Sequence, residues 1–148
     1  MLGQNRLAMS LGSFGGDFGE AIGNNNLGQA VRWSLYPGDI HGPAFVSDPL
    51  HGLHALPSLL GDTDGQGNQI NDLGQIVSFS QLFDDQGDLL SERVVTWQNG
   101  IPTELQTVIP SNILTLTVVG NANLFGQISV DSGTFDDGTL TGYVLTPK

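Results

Sequence analysis

The chain contains no cysteine and very few basic residues, and both absences exclude whole classes of protein. With no cysteine among 148 residues, disulfide scaffolds, thiolate zinc sites and cysteine nucleophiles are ruled out. Four Lys and Arg stand against fifteen Asp and Glu, which gives a net charge of −11. Because nucleic-acid binding requires a basic patch that neutralises phosphates, we expect no nucleic-acid partner.

Long apolar runs are also missing. No stretch reaches the roughly 18 apolar residues of a membrane-spanning helix, so we expect no membrane insertion. Residues 1–10 lack the apolar stretch of a secretory signal, so the visible start predicts no signal peptide in this chain. No segment keeps a 3.6-residue apolar period, while turn residues recur every few positions. The sequence therefore predicts an all-β domain without helices.

What the chain does contain is an internal repeat of the form N-x-(L/F)-G-Q. Its glycines lie at positions 28, 74 and 126, a spacing typical of repeated supersecondary units. Asparagine tolerates left-handed backbone and glycine supplies positive φ, so the motif predicts a tight turn between two strands. The structural residues of the three turns are predicted to be Asn25, Gly28, Gln29, Asn71, Gly74, Gln75, Asn123, Gly126 and Gln127.

Each repeat continues with an acidic loop, a third strand, a second turn and a fourth strand. This order predicts a single domain over residues 1–148 with three four-stranded repeats at 12–56, 57–105 and 106–148. The third repeat lacks a fourth strand, and residues 1–11 are similar to the missing piece. Since the segment from Leu11 aligns with the segment from Leu56, we expect the N-terminal strand to complete the last repeat.

The repeats resemble those of the HAF-repeat family of predicted bacterial extracellular proteins. The resemblance is carried by Phe14-Gly15-Gly16, by Ala21-Ile22, by the N-x-L-G-Q-x-V turn and by His41 shortly before Ala44-Phe45. It implies propeller-like blades, an extracellular or cell-surface location and no catalytic residues.

Two fold interpretations stay open for three such units. Propeller-like blades are favoured, although closed propellers usually need 4–8 blades, a number that two chains could supply together. A threefold β-trefoil or β-prism is the alternative, because three four-stranded units in one domain also fit those folds.

The clearest candidate site is an acidic loop face. Equivalent loops of the three repeats are expected to lie on one face, and they carry Asp39, Asp84, Asp85, Asp88, Asp136 and Asp137. Clustered carboxylates suit Ca²⁺, whereas a solvated face that maintains solubility is the simpler explanation. Asp62 and Asp64 resemble the opening of a calcium loop, but Leu73 stands where a closing Glu is expected, and a glycine-rich turn explains the segment equally. The sequence therefore predicts no cofactor, with Ca²⁺ as the one alternative.

No catalytic constellation stands out, so we expect a protein that is not an enzyme. No G-x-S-x-G nucleophile motif occurs, and the glutamates lie at non-equivalent places in the repeats. The leading interpretation is an extracellular module that binds a glycan or protein partner through its loops, as a homo-oligomer or with a surface partner. One alternative is a structural protein that self-assembles at a surface or into filaments. Another is a small polysaccharide hydrolase that uses an acidic pair.

Overall fold

The computed structural model describes residues 6–113, 115–133 and 138–148. Over these ranges the chain forms eleven strands, and its helical content is a single 3-10 turn at Leu105–Thr107. The strands are β1 (Gly19–Asn24), β2 (Ala30–Ser34), β3 (Ala44–Asp48), β4 (Gly52–Leu56), β5 (Asp64–Ile70), β6 (Ile76–Phe83), β7 (Leu89–Gln98), β8 (Ile101–Glu104), β9 (Leu116–Ala122), β10 (Ile128–Ser132) and β11 (Thr141–Leu145). In the described part of the chain, no helix has the length and apolarity needed to cross a membrane.

The strands form three antiparallel sheets, one in each sequence repeat. Sheet 1 has the order β1-β2-β3-β4 and sheet 2 the order β5-β6-β7-β8, while sheet 3 has three strands in the order β11-β10-β9. Every pairing joins strands that are consecutive in the chain. The prediction of an all-β fold made of repeated antiparallel sheets is therefore confirmed.

The sheets pack face to face with sheet 2 in the middle. One apolar cluster joins sheets 1 and 2, with Val31 and Leu56 packed among Ile76 and Trp97. A second cluster joins sheets 2 and 3 through Val77, Leu105, Ile128 and their neighbours. Full burial of each aliphatic side chain contributes about 1.5–3 kcal/mol, so these two interfaces supply most of the favourable packing energy.

Close packing between sheets 1 and 2 explains why position 23 is a glycine. A side chain on Gly23 would overlap the carbonyl oxygen of Asn68, which belongs to β5. Only glycine therefore lets β5 lie directly against the face of sheet 1. This approach keeps the turns of successive repeats within hydrogen-bonding distance.

The prediction that residues 1–11 complete the last repeat within this chain is wrong for residues 6–11, and residues 1–5 lie outside the described part. Residues 6–10 are exposed and form no strand, and sheet 3 has three strands among the described residues. The reason is the stacking order. Residues 12–16 are held against sheet 1, sheet 2 lies between sheets 1 and 3, and strand pairing requires a separation of about 5 Å.

Candidate functional site

The three N-x-(L/F)-G-Q segments form nearly identical corners, which are the turns between the first two strands of each sheet. In the first corner the Asn25 side-chain oxygen accepts hydrogen bonds from the Leu27 and Gln29 amides at 3.1 and 3.0 Å. The Gly28 φ of 78° lies in the left-handed region that favours glycine. The corners at Asn71 and Asn123 repeat the pair of bonds at 2.9–3.0 Å.

A ladder of side-chain amides joins the corners. The Asn25 Nδ2 group donates to the Asn71 carbonyl oxygen at 3.0 Å, and the Asn71 Nδ2 group donates to the Asn123 carbonyl oxygen at 2.8 Å. Asp72 adds a link between the first two corners, because its carboxylate accepts from the Asn26 amide and side chain at 2.8 and 2.7 Å. Each asparagine thus shapes its own corner, and Asn25 and Asn71 also fix the next corner, which makes the row of corners rigid.

On this ladder the third residue of each corner points an apolar side chain into solvent. Leu27 and Leu73 are each 62% exposed, and Phe125 is 82% exposed. The prolines Pro49 and Pro147 lie beside the glycines of the first and third corners, so apolar surface continues around the row. We call Leu27, Leu73 and Phe125 the corner row. Regularly placed apolar side chains on a rigid support are the kind of surface that proteins use for binding.

The acidic loops lie at the opposite end of the sheets from the corners, because they connect the second and third strands of each repeat. A side chain on Gly87 would contact Ile40, so the loops of repeats 1 and 2 are adjacent. Asp84 serves its own loop, since its carboxylate accepts from the Gln86 and Asp88 amides at 2.9 Å. Asp39 instead binds another segment, since its carboxylate accepts from the Asp17 amide, shortly before β1, at 2.8 Å.

Two members of the acidic set, Asp85 and Asp88, are exposed. Asp136 and Asp137 lie outside the described residues. The structure therefore brings two of the three predicted acidic loops together and uses one carboxylate of each to shape the backbone.

The calcium candidates Asp62 and Asp64 bind different partners. The Asp62 carboxylate lies 3.0 Å from the Arg93 guanidinium, while Asp64 accepts from the Gly42 amide at 2.6 Å and contacts the His41 ring at 2.8 Å. Asp64 also begins β5 instead of continuing a loop. Across residues 6–113, 115–133 and 138–148, no group of three His, Cys, Asp or Glu side chains could hold a metal ion. This arrangement does not favour a calcium loop at Asp62.

A small cleft opens between sheets 1 and 2 beside the acidic loops. It has a volume of about 140 Å³ and is lined by an indole, a carboxylate and amide side chains, among them Trp33, Asp64, Gln66 and Gln81. Aromatic faces combined with hydrogen-bonding groups form an amphipathic surface that suits a sugar ring.

A larger apolar groove, of about 610 Å³, runs along the outer edge of β11. It lies between that strand and the segment after β8, and its walls include Leu105, Ile109, Ile113, Tyr143 and Leu145. In sheet 2 the equivalent edge, that of β7, is covered by β8. The groove therefore lies where a fourth strand of sheet 3 would pair with β11, a strand that the described residues do not supply.

One side chain of Asp48 connects the first corner to the turn after β3. Its carboxylate accepts hydrogen bonds from the Leu50 amide at 2.8 Å and from Gln29 Nε2 at 3.2 Å, and it contacts the His51 ring at 3.0 Å. These bonds, led by the one from Leu50, hold the pKa of Asp48 below its ordinary value of 3.8. The corner is thus linked to a group that titrates in acid.

Two features of the repeated sequence mark residues whose roles only the structure shows. Ser34, Ser80 and Ser132 all fall five residues after the corner glutamine, and all three are buried. The first two accept the amides of Phe14 and Leu59, at 3.1 and 2.8 Å, which fastens the segment that precedes each sheet. Extending the repeat alignment beyond the glutamine reveals this serine. The same alignment shows that the third corner residue is always Leu or Phe, although a tight turn does not require it.

Comparison with known proteins finds no matching family model, and no curated protein or solved structure is significantly similar to the chain. The class that the fold defines is therefore a β-repeat protein with three stacked antiparallel sheets. The HAF-repeat likeness stays a resemblance of motifs.

Proposed function

We propose that the chain is a non-enzymatic β-repeat module that binds a protein partner through the corner row. The observation that carries the proposal is the exposure of Leu27, Leu73 and Phe125 on a hydrogen-bonded ladder. A pre-organised surface loses little conformational entropy on binding, so a few apolar contacts give useful affinity. The partner that fits this surface is a peptide segment that presents apolar side chains at repeated intervals.

The propeller-like arrangement of the sheets as blades belongs to this proposal. Its support is the stacking of the sheets through two apolar interfaces and the ladder that joins their corners. A location at the cell surface is proposed on the HAF-repeat resemblance alone.

The environment of the carboxylates supports a non-enzymatic role. Asp62 and Glu104 both bind Arg93, at 3.0 and 3.1 Å. Each of these carboxylates is therefore engaged by an ion pair within the chain.

The experiment is selection of a displayed random-peptide library on the immobilised chain. Enriched peptides are then tested against a triple variant, Leu27→Ser, Leu73→Ser and Phe125→Ser. The matched control is Leu60→Ser, Leu89→Ser and Leu90→Ser, which also removes three exposed apolar side chains. We expect the corner-row variant to lose about tenfold or more in affinity and the control to retain it, because only the first set carries the contacts. Failure to enrich any peptide, or equal binding by both variants, would contradict the proposal.

A second candidate is glycan binding at the cleft beside Trp33, favoured by the indole and amides that line it. A glycan array probed with the wild-type chain and with Gln66→Ala tests this candidate. Gln66 lies at the cleft and its side chain is partly exposed, so the variant is expected to fold. Signals that Gln66→Ala abolishes support the cleft, whereas an array without signals contradicts it.

A further inference from the structure

We propose that residues 6–11 of one chain add to the outer edge of β11 in a second copy and complete its sheet 3. This head-to-tail association goes beyond the corner row. It makes use of an unpaired segment and an unpaired edge that lie at opposite ends of the same stack of sheets.

The donor segment has the pattern of a strand and is placed like one. Leu7, Met9 and Leu11 alternate with Arg6, Ala8 and Ser10, so the apolar side chains would share one face of a strand. Leu7 is fully exposed and Met9 is 75% exposed. Exposed apolar side chains at strand spacing indicate a segment that gains from being covered.

Residues 12–16, which follow the donor segment, are anchored in the same way as the corresponding segment of repeat 2. The Phe14 amide donates to Ser34 Oγ, as the Leu59 amide donates to Ser80 Oγ. Both amides come three residues after a leucine, Leu11 in one case and Leu56 in the other. Because Leu56 is the last residue of β4 and is buried between two sheets, Leu11 stands where a fourth strand would end.

The acceptor is sheet 3, whose outer strand has a free edge among the described residues. The registers of the sheets define how the donor would pair. Ala44 in sheet 1 and Gly142 in sheet 3 are equivalent, since each faces the residue four positions after the corner glutamine. Because Ala44 pairs with Leu56, Leu11 is expected opposite Gly142 and Met9 opposite Val144. The Val144 side chain is 64% exposed, so the pairing would cover an apolar side chain on each partner.

The ladder of side-chain amides supports the same pairing between copies. Each step runs from the Nδ2 group of one corner to the carbonyl oxygen of the next, from Asn25 to Asn71 and from Asn71 to Asn123. A continuation beyond Asn123 requires a further corner stacked on sheet 3. The first corner of a second copy, at Asn25, supplies it when that copy's residues 6–11 pair with β11. The free edge of β11 and the amide ladder therefore specify the same occupant for this end of the stack, which is another copy of this chain in the same orientation.

Such an interface is heterologous, because a different surface of each copy takes part. Copies can then add in succession to form rings or open chains. The net charge of −11 opposes this association, so it should strengthen as salt screens the repulsion.

Sedimentation velocity over a wide range of concentration and ionic strength tests the inference. Met9→Asp places a charge against Val144 and should weaken association about tenfold or more. The matched control is Leu50→Asp, which makes the same change at a residue that is 87% exposed in the turn after β3. A chain that stays monomeric under all conditions would overturn the inference. So would oligomers that Met9→Asp and Leu50→Asp weaken equally.

Mixing two defective variants tests the heterologous geometry. Met9→Asp spoils the donor and leaves β11 intact, while Val144→Asp spoils the acceptor and leaves residues 6–11 intact. Each variant alone should be monomeric, and their equimolar mixture should form one-to-one dimers and no larger species. Thermal unfolding of each variant establishes that the monomer is folded, which is expected because both side chains are exposed. A mixture that stays monomeric, with both variants folded and the wild type associated, refutes the pairing.

Discussion

The asparagine ladder makes a quantitative prediction for Asn71, the middle corner. Replacing Asn71 by Ala removes the acceptor of two backbone amides, at 3.0 and 2.9 Å, and the donor to the Asn123 carbonyl oxygen at 2.8 Å. Asn71 is buried, so water does not readily replace these partners. At about 1 kcal/mol for each hydrogen bond, we expect the free energy of unfolding to fall by about 3 kcal/mol.

The third corner provides the control for this prediction. Asn123 makes the same two bonds within its corner, but it is exposed and donates to no further corner among the described residues. Asn123→Ala should cost about 1 kcal/mol, because solvent reaches the freed amides. The difference of about 2 kcal/mol between the variants measures the inter-corner bond and the burial that accompanies it.

Urea unfolding followed by tryptophan fluorescence measures both changes, since Trp97 is fully buried between sheets 1 and 2. Asn71→Asp is a further variant that keeps the side-chain acceptor and loses the Nδ2 donor, which binds the Asn123 carbonyl oxygen and, at 3.3 Å, Gln75 Oε1. It therefore separates the bonds to the two corner amides from those that the donor makes. Equal losses for Asn71→Ala and Asn123→Ala would refute the reasoning, because the ladder would then contribute nothing.

Three further predictions concern single positions. Gly74→Val should lower the unfolding free energy by more than about 1 kcal/mol, because the φ of 77° strains a β-branched residue even though the space around it is open; an unchanged melting temperature would contradict this. Ser80→Ala should cost about 2 kcal/mol in urea unfolding, since it leaves the Leu59 amide and Asp62 without their shared hydroxyl. Asp48 has a lowered pKa in the folded chain, so its contribution to stability is present above pH 3.8 and is lost as the pH falls through the folded value. Wild type should therefore lose more stability in acid than Asp48→Asn, and parallel acid-unfolding curves would exclude this role.

The interior of each repeat was predictable because its signals are local. Asn-Gly is the residue pair most typical of a two-residue hairpin turn, and Asn99-Gly100 forms the turn between β7 and β8 with positive φ at both residues. The corner glycines and the apolar residues on either side predicted β1 with β2 and β5 with β6. These features depend on the backbone conformations of a few neighbouring residues, and the identities of those residues restrict their conformations directly.

The partners of charged groups were not predictable in the same way. Asp62 and Asp64 are two residues apart, which suggested a common ligand, yet one binds Arg93 and the other binds His41 and the Gly42 amide. Asp62 directly follows the turn at residues 60–61, whereas Asp64 already belongs to β5, so the regular geometry of one strand does not hold the two carboxylates together. Arg93 comes from β7, and only the pairing of β6 with β7 brings it near Asp62.

The repeated unit follows from local signals in the sequence: turn residues and apolar alternation predict the all-β class, the three corners and the strand order within each sheet. Tertiary structure decided which corner amide reaches its neighbour, which side chains of the corner row stay in solvent, and that residues 6–11 are unpaired in the single chain. The physical reason is the separation along the chain of the residues that interact. A turn is fixed by the φ and ψ preferences of four or five residues, whereas the stacking of sheets depends on apolar surfaces that are about fifty residues apart in the chain.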